Sequence, residues 1–283
     1  MSTEQAAIAR RAYETLEPFH VLAYFNPGLG DAQTDLGLDG HAFYRRPDGR
    51  CHGSGRSRRF LQLLTRARRI RMGPRSGRRP REGRRTAVRD ARRAVPRHPG
   101  AACERITPLL PEYEKAVGGL PVSGRPLGAA WASTPIPDAP HLALWRHLSV
   151  LREWRGDNHI AELIGHGLDG IDAGVFHEAA LPDPTVRRRV MGHRFFLLTR
   201  GWSEDDWDAS VDRLARRGLV EIGDDGHRLT SAGFDLYQDI EARTDLLTGA
   251  SLGTDVADLI ERTRPFVKPV LDAGVLPGTS KKS

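Results

Sequence analysis

Between residues 45 and 100 this chain places 20 of its 39 arginines, no lysine and only three acids, Asp48, Glu82 and Asp90. That is a net +17 over 56 residues. Runs such as Arg75-Ser-Gly-Arg-Arg-Pro-Arg-Glu-Gly-Arg-Arg85 repel themselves and offer no sustained apolar period, so alone they do not fold. A core must come from the flanks. Those flanks are acidic: the whole chain is +7, so the other 227 residues carry −10. The basic character of the chain belongs to one stretch, and any nucleic-acid reading built on net charge depends on it.

At 283 residues the chain has room for one large domain or two ordinary ones. No apolar run approaches the roughly 18 residues of a spanning helix, so no membrane partner is expected. Met1-Ser-Thr-Glu-Gln lacks the charged and apolar regions of a signal peptide, and a cytoplasmic location is expected. Cys51 and Cys103 make neither a disulfide framework nor a zinc site. His141, His147, His166, His177 and His193 lack metal-ligand spacing. With no P-loop, G-x-G-x-x-G or G-x-S-x-G, neither metal nor cofactor is expected, and no nucleophile–base pair can be named.

The pattern predicts a mainly α protein: a helical bundle with a winged helix-turn-helix C-terminal half. Residues 1–44 form a helical segment, 45–104 the arginine-rich stretch, 105–140 a linker with a short helix, 141–275 the helical and winged-helix domain and 276–283 a tail. Ala6–Glu17 reads as an amphipathic helix through Ile8, Ala12 and Leu16, interrupted by Pro18. Pro111–Val117 reads as a short helix. His141–Arg155 and Asn158–Gly165 read as two helices, the second capped by Asp157, and Asp169–Ala179 as a third. Ser203-Glu-Asp-Asp206 is a capping box opening a helix with Trp207, Val211 and Leu214 on one face, ended by Gly218. Leu219–Ile222 and His227–Thr230 flank a Gly223-Asp-Asp-Gly226 hairpin turn. Helices Ser231–Leu247 and Thr254–Ala273 follow.

Asp212-Arg-Leu-Ala-Arg-Arg-Gly-Leu-Val220 with Leu229-Thr-Ser-Ala-Gly233 resembles the recognition helix and wing of MarR-type regulators. Upstream, Ala161, Gly165 and Ile171 have the small, small, apolar spacing of two closely crossing helices. The resemblance implies a double-stranded DNA partner, with Arg213, Arg216, Arg217 and Arg228 as phosphate contacts. It also implies a homodimer paired through Thr254–Ala273. Charge opposes docking: residues 201–250 hold 12 acids and 5 arginines, and the wing tip is Asp224-Asp225. Those arginines could equally be solvated charges balancing the acids.

Leu16-Glu-Pro-Phe-His-Val-Leu-Ala-Tyr-Phe25, Gly124-Arg-Pro-Leu127, Pro140-His-Leu-Ala-Leu-Trp145, Leu151-Arg-Glu-Trp-Arg-Gly-Asp-Asn-His159 and Arg200-Gly-Trp-Ser-Glu204 together resemble the actinobacterial SalK-like helix-turn-helix family. That resemblance implies a mostly helical protein with a winged-helix half, of a kind often encoded near natural-product genes. Where this chain has its arginines, the family has a "P-M-G-x-V" element followed by an "F-x-P" element. Pro47–His52 and Phe60–Ala67, back-translated with permitted codons and read one base on, give Pro-Met-Gly-Ala-Val and Ser-Cys-Ser-Phe-Ser-Pro-Ala. Residues 45–104 then read as a frame-shifted translation between two compensating indels. The rival reading is a true arginine-rich arm that folds on nucleic acid. Sequencing the coding DNA across residues 40–110 is expected to find the alternative frame open and encoding both elements. Stop codons in that frame would make the arginines genuine.

Glu17, His20 and Tyr24 fall at i, i+3 and i+7, and share a face if the helix runs through Pro18. A carboxylate, an imidazole and a phenol together could bind a polar ligand or do acid–base work. They could equally surround a satisfied core histidine. In Arg155-Gly-Asp-Asn-His159, Asp157 reads as an N-cap with Arg155 and His159 pairing locally, or Arg155 and His159 line a ligand pocket between the helical halves. The function expected is a winged-helix, regulator-like or small-molecule-binding protein. Alternatives are a MarR-like sequence-specific transcriptional regulator and a natural-product biosynthetic enzyme using the Glu17/His20/Tyr24 face.

Overall fold

The computed structural model describes residues 3–21 and 104–272, except 169, 184, 186–189, 191 and 225. The arginine-rich stretch, Tyr24 and both cysteines lie outside the described residues. The fold is mainly helical, and the chain divides into two compact units, residues 1–157 with 248–283, and residues 158–247.

In the first unit, α1 (Thr3–Val21) buries Ile8, Ala9 and Leu16. Pro18 does not interrupt it. A proline inside a helix removes one hydrogen bond and strains the turn before it. Here Leu16, Pro18 and His20 are all buried, so packing holds that turn together. A 3-10 turn (Thr107–Leu109) leads into α2 (Leu110–Gly118), whose buried Tyr113 shares a 2.7 Å hydrogen bond with Thr263. Thr263 lies on α9 (Asp255–Asp272), which contributes Val256, Leu259 and Ile260 to the core.

Two further elements show how this unit is assembled. α3 (Pro126–Ala132) has seven residues, too few to be stable alone. α4 (Pro140–Gly165) is one continuous helix of 26 residues, not the expected pair broken at Asp157. The reason is that Asp157 caps a different helix. Its carboxylate accepts the backbone N–H groups of Leu127 at 3.2 Å and Gly128 at 2.8 Å, at the start of α3. Arg146, also on α4, serves the other end of α3: Nη2 donates to the Ala132 carbonyl at 2.5 Å and the Thr134 carbonyl at 3.1 Å. A helix leaves its first N–H and last C=O groups unpaired, and its dipole favours an anion at the start and a cation at the end. α4 supplies both. Gly128 lets the two helices touch, since a Cβ there would sit 2.9 Å from the Cα and Cβ of Trp154.

The second unit is a winged helix. α5 (Gly170–Glu178) is followed by Ala180, which bridges to Arg228 through bonds from Ala180 N to His227 O (3.0 Å) and Leu229 N to Ala180 O (2.8 Å). Then come α6 (His193–Arg200), α7 (Glu204–Arg216), strands β1 (Val220–Gly223) and β2 (Gly226–Leu229), and α8 (Ser231–Gly249). β1 and β2 pair antiparallel with Val220 opposite Leu229 and Glu221 opposite Arg228. Helix, strand, helix, helix, strand, strand is winged-helix order. The expected capping box is present, with Ser203 accepting from Asp206 N and Asp206 accepting from Ser203 N. Gly218 has φ +70° and leaves α7 left-handed, as a C′ glycine should.

The helix pair is displaced from the expected one. Ala161 and Gly165 are exposed, and a Cβ at Gly165 would meet nothing within 4 Å, so no tight crossing depends on them. The three-residue turn, Gly201-Trp-Ser203, joins α6 to α7, with Gly201 at φ +70°. The close crossing is between α5 and α6: a Cβ on Gly174 would lie 1.9 Å from the Phe196 ring.

Candidate functional site

α7 occupies the place of a recognition helix. Its inner face buries Trp207, Ser210, Val211 and Leu214. Its outer face shows Glu204, Asp205, Asp206, Asp208 and Asp212 against Arg213 and Arg216. The backbone and then the side chain of Ser203, bonding to Asp206, hold its carboxyl below the usual range, so charge at the head of α7 stays fixed near neutral pH.

The four candidate phosphate contacts, Arg213, Arg216, Arg217 and Arg228, are all exposed, and three of them have partners within the unit. Arg213 Nη2 donates to Asp172 at 2.5 Å. Arg217 donates to the carbonyls of Gly167 (2.8 Å) and His166 (2.7 Å), ending the turn after α4. Arg228 pairs across the hairpin with Glu221 at 2.9 Å. Arg216 is exposed and makes no ion pair with any described residue. Asp224 at the wing tip is exposed, and Asp225 lies outside the described residues.

In the first unit, a cleft is walled by Ala9, Ala12, Leu16, Leu148, Leu151 and Leu252 and edged by Tyr13, Glu17, Arg152 and Arg155. The period-3.6 reading of α1 put Glu17 and His20 on one face, and the structure brings them together with Arg152 and Glu153 of α4. Arg152 Nε reaches Glu17 at 3.3 Å, and its Nη1 reaches Glu153 at 3.1 Å. Glu153 Oε1 lies 3.8 Å from His20 Nε2. On its other side the His20 ring stacks on Trp145 at 5.9 Å, and Nδ1 is 2.9 Å from Ser149 Oγ. The Ser149 hydroxyl donates to the Trp145 carbonyl at 2.8 Å, so Nδ1 carries the ring proton and donates to Ser149. Trp145 closes the loop by donating Nε1 to the His20 carbonyl at 3.0 Å. Burial first, then Arg152, pushes the His20 pKa well below its ordinary value, and the ring is neutral.

Ser149, His20 and Glu153 thus stand in a row that superficially suggests nucleophilic catalysis. Ser149 is fully buried with its proton committed to Trp145, and His20 is 1% exposed, so a substrate does not reach them in this arrangement.

The other expected site residues separate. Arg155 lies over the Tyr13 ring at 4.1 Å and edges the cleft. Asp157 serves α3 instead of its own helix; burial raises its pKa, opposed by the backbone bonds from Gly128 and Leu127. His159, in the second unit, meets Thr244 at 3.1 Å and Glu241 at 3.8 Å, and does not line the cleft. Arg152, Glu153 and Arg146 were missed as site residues. Their signal was present: charges at 146, 152, 153, 155 and 157 leave α4 no clean polar face, which marks a helix packed on many sides. Among the described residues no cluster of His, Cys, Asp and Glu could hold a metal ion, and no helix is long and apolar enough to cross a membrane.

Residues 75–277 match the profile of a helix-turn-helix family. The match begins inside the arginine-rich stretch and runs through both units. No curated protein and no solved structure shows a detectable similarity to the chain.

Proposed function

The chain belongs to a helix-turn-helix family, and on that premise we propose that it is a regulator-like, small-molecule-binding protein whose α7 does not itself read duplex DNA. One observation carries this: the outer face of α7 presents five acids, while the exposed Arg213, Arg217 and Arg228 are each already paired with a group of the same unit. Phosphate neutralisation dominates duplex affinity, and an acidic face opposes it. The small-molecule part rests on the polar group that Glu17, Arg152 and Glu153 form in the first unit, with Arg152 the partly exposed member.

Arg216 tests the proposal, because losing it breaks no described ion pair. In fluorescence anisotropy of the full chain with a labelled 30-bp duplex, Arg216→Ala is expected to leave affinity and salt slope unchanged. A residue that contacts phosphate would lower the slope by about one on removal. A drop of that size, with weakened binding, would favour the second reading. In that reading the winged-helix order supports a MarR-like DNA-binding dimer paired through residues 254–273. The frame-shift proposal sits most firmly on residues 45–74, where both recovered elements lie and which the family match does not reach. A cytoplasmic location and the SalK-like subtype fit this reading and are part of the proposal.

A further inference from the structure

The first unit leaves an apolar face uncovered at the head of α4. Ile136, in the loop between α3 and α4, is 44% exposed. Phe19 at the end of α1, Ala132 at the end of α3 and Leu142 at the start of α4 are only partly buried, packed against the core cluster that holds Trp131 and Trp145. These three helix ends meet. Trp145 Nε1 donates to the His20 carbonyl, the Trp131 and Trp145 rings lie edge-on at 5.2 Å, and Arg146 holds the Ala132 and Thr134 carbonyls at the start of the Ile136 loop. α1 runs antiparallel to α4, with Glu17 at Arg152 and His20 at Trp145. Moving towards the end of α1 is therefore moving towards the start of α4. The described part of α1 stops at Val21, and the next four residues, Leu22-Ala-Tyr-Phe25, carry no charge. One further turn past His20 is level with the first turn of α4, about Leu142.

We propose that this face is the docking surface for Leu22-Ala-Tyr-Phe25 of the same chain, with Tyr24 covering Leu142 and Ile136. The tether selects the occupant. A segment joined directly to the end of α1 acts at an effective concentration on the order of millimolar, which a second copy at micromolar concentration does not match. Four extended residues reach about 14 Å. The chemistry also agrees: the segment is uncharged and apolar, and so is the exposed stretch Pro135-Ile-Pro137 that it meets. Tyr24 is then a packing residue. It does not complete an acid–base set with Glu17 and His20, whose ring is already engaged by Trp145, Ser149 and Glu153.

The test is cross-linking in the full chain, in a background carrying Cys51→Ser and Cys103→Ser. The pair Tyr24→Cys with Ile136→Cys is treated with a short bismaleimide, and the link is located by peptide mass mapping. The control pair is Tyr24→Cys with Val122→Cys. Val122 is 52% exposed and also in the first unit, but it precedes α3, away from the end that Arg146 holds. A link within one chain is expected to form at least about ten times faster in the first pair than in the control, on the strength of the raised local concentration. Phe25→Cys in place of Tyr24→Cys repeats both measurements with the tyrosine intact. If Ile136→Cys reduces the helical signal in circular dichroism, Pro135→Cys replaces it. Equal rates in the two pairs, in both the Tyr24 and the Phe25 versions, overturn the docking. A faster link that joins two chains and scales with protein concentration assigns the face to a second copy and overturns it too.

Discussion

Gly233→Ala is expected to destabilise the winged-helix unit by about 3 kcal/mol, at the upper end of overpacking costs, and to lower the Tm of this 90-residue unit by roughly 12–24 °C. A Cβ at Gly233 would lie 2.0 Å from the Leu219 carbonyl oxygen and 2.9 Å from its carbon. Both are backbone atoms, so no rotamer change relieves the clash. Leu219 cannot retreat cheaply. Its N–H bonds to Leu214 O at 3.0 Å, its carbonyl accepts from Thr230 N at 3.1 Å, and its side chain is in the core. The same few residues start α8: Thr230 Oγ1 accepts from Gly233 N at 3.0 Å and donates to Gly218 O at 2.6 Å. The Leu-Thr-x-x-Gly string at 229–233 is therefore one device, a core leucine, a cap and a contact too close for a side chain. Gly165→Ala is the control. It has open space around its added methyl and should shift stability by less than about 1 kcal/mol. Equal melting of the two variants, followed by circular dichroism, would remove the close approach from the account.

That device explains why the winged-helix unit was readable from sequence. Its signals are local: a side chain and a backbone group three residues apart at Ser203 and Asp206, a left-handed glycine at 218, and two alternating strands around a two-residue turn. What failed in the same unit was non-local. The spacing at Ala161, Gly165 and Ile171 is compatible with a helix crossing, but compatibility does not select it. The crossing that needs a missing side chain pairs Gly174 with Phe196, over a sequence distance no periodicity reports. The first unit was harder for the same reason. Asp157 looked like a cap, and it is one, for a helix 30 residues earlier. Nothing in an Asp-Asn pair says which helix it serves. Glu17 and His20 could be placed on one face from the period of α1, yet Arg152 and Glu153 could be matched to them only once α1 lay against α4.

Between pH 7 and pH 5 the first unit is expected to lose stability, with His147 alone contributing about 2 kcal/mol. His147 is buried on α4, and Arg146 Nη1 lies 3.3 Å from its Nδ1. The guanidinium can only donate, so that ring nitrogen holds a lone pair, and a proton there would set two cations side by side. Burial, then Arg146, pushes the His147 pKa down to about 4, from an ordinary 6.5. Over that interval the unfolded chain binds a proton that the folded chain refuses. Stability is therefore full above about pH 6.5, declines as pH falls, and stops declining through this group near pH 4. His20 is lowered well below the same value and acts in the same direction. Asp157 opposes them, since a carboxyl with a raised pKa binds its proton more readily in the folded state. Urea unfolding of wild type and His147→Gln at the two pH values isolates the term. Glutamine can still accept from Arg146 but does not titrate, so the variant should lose about 2 kcal/mol less than wild type over the interval. If both lose the same amount, His147 is not held neutral by burial and Arg146.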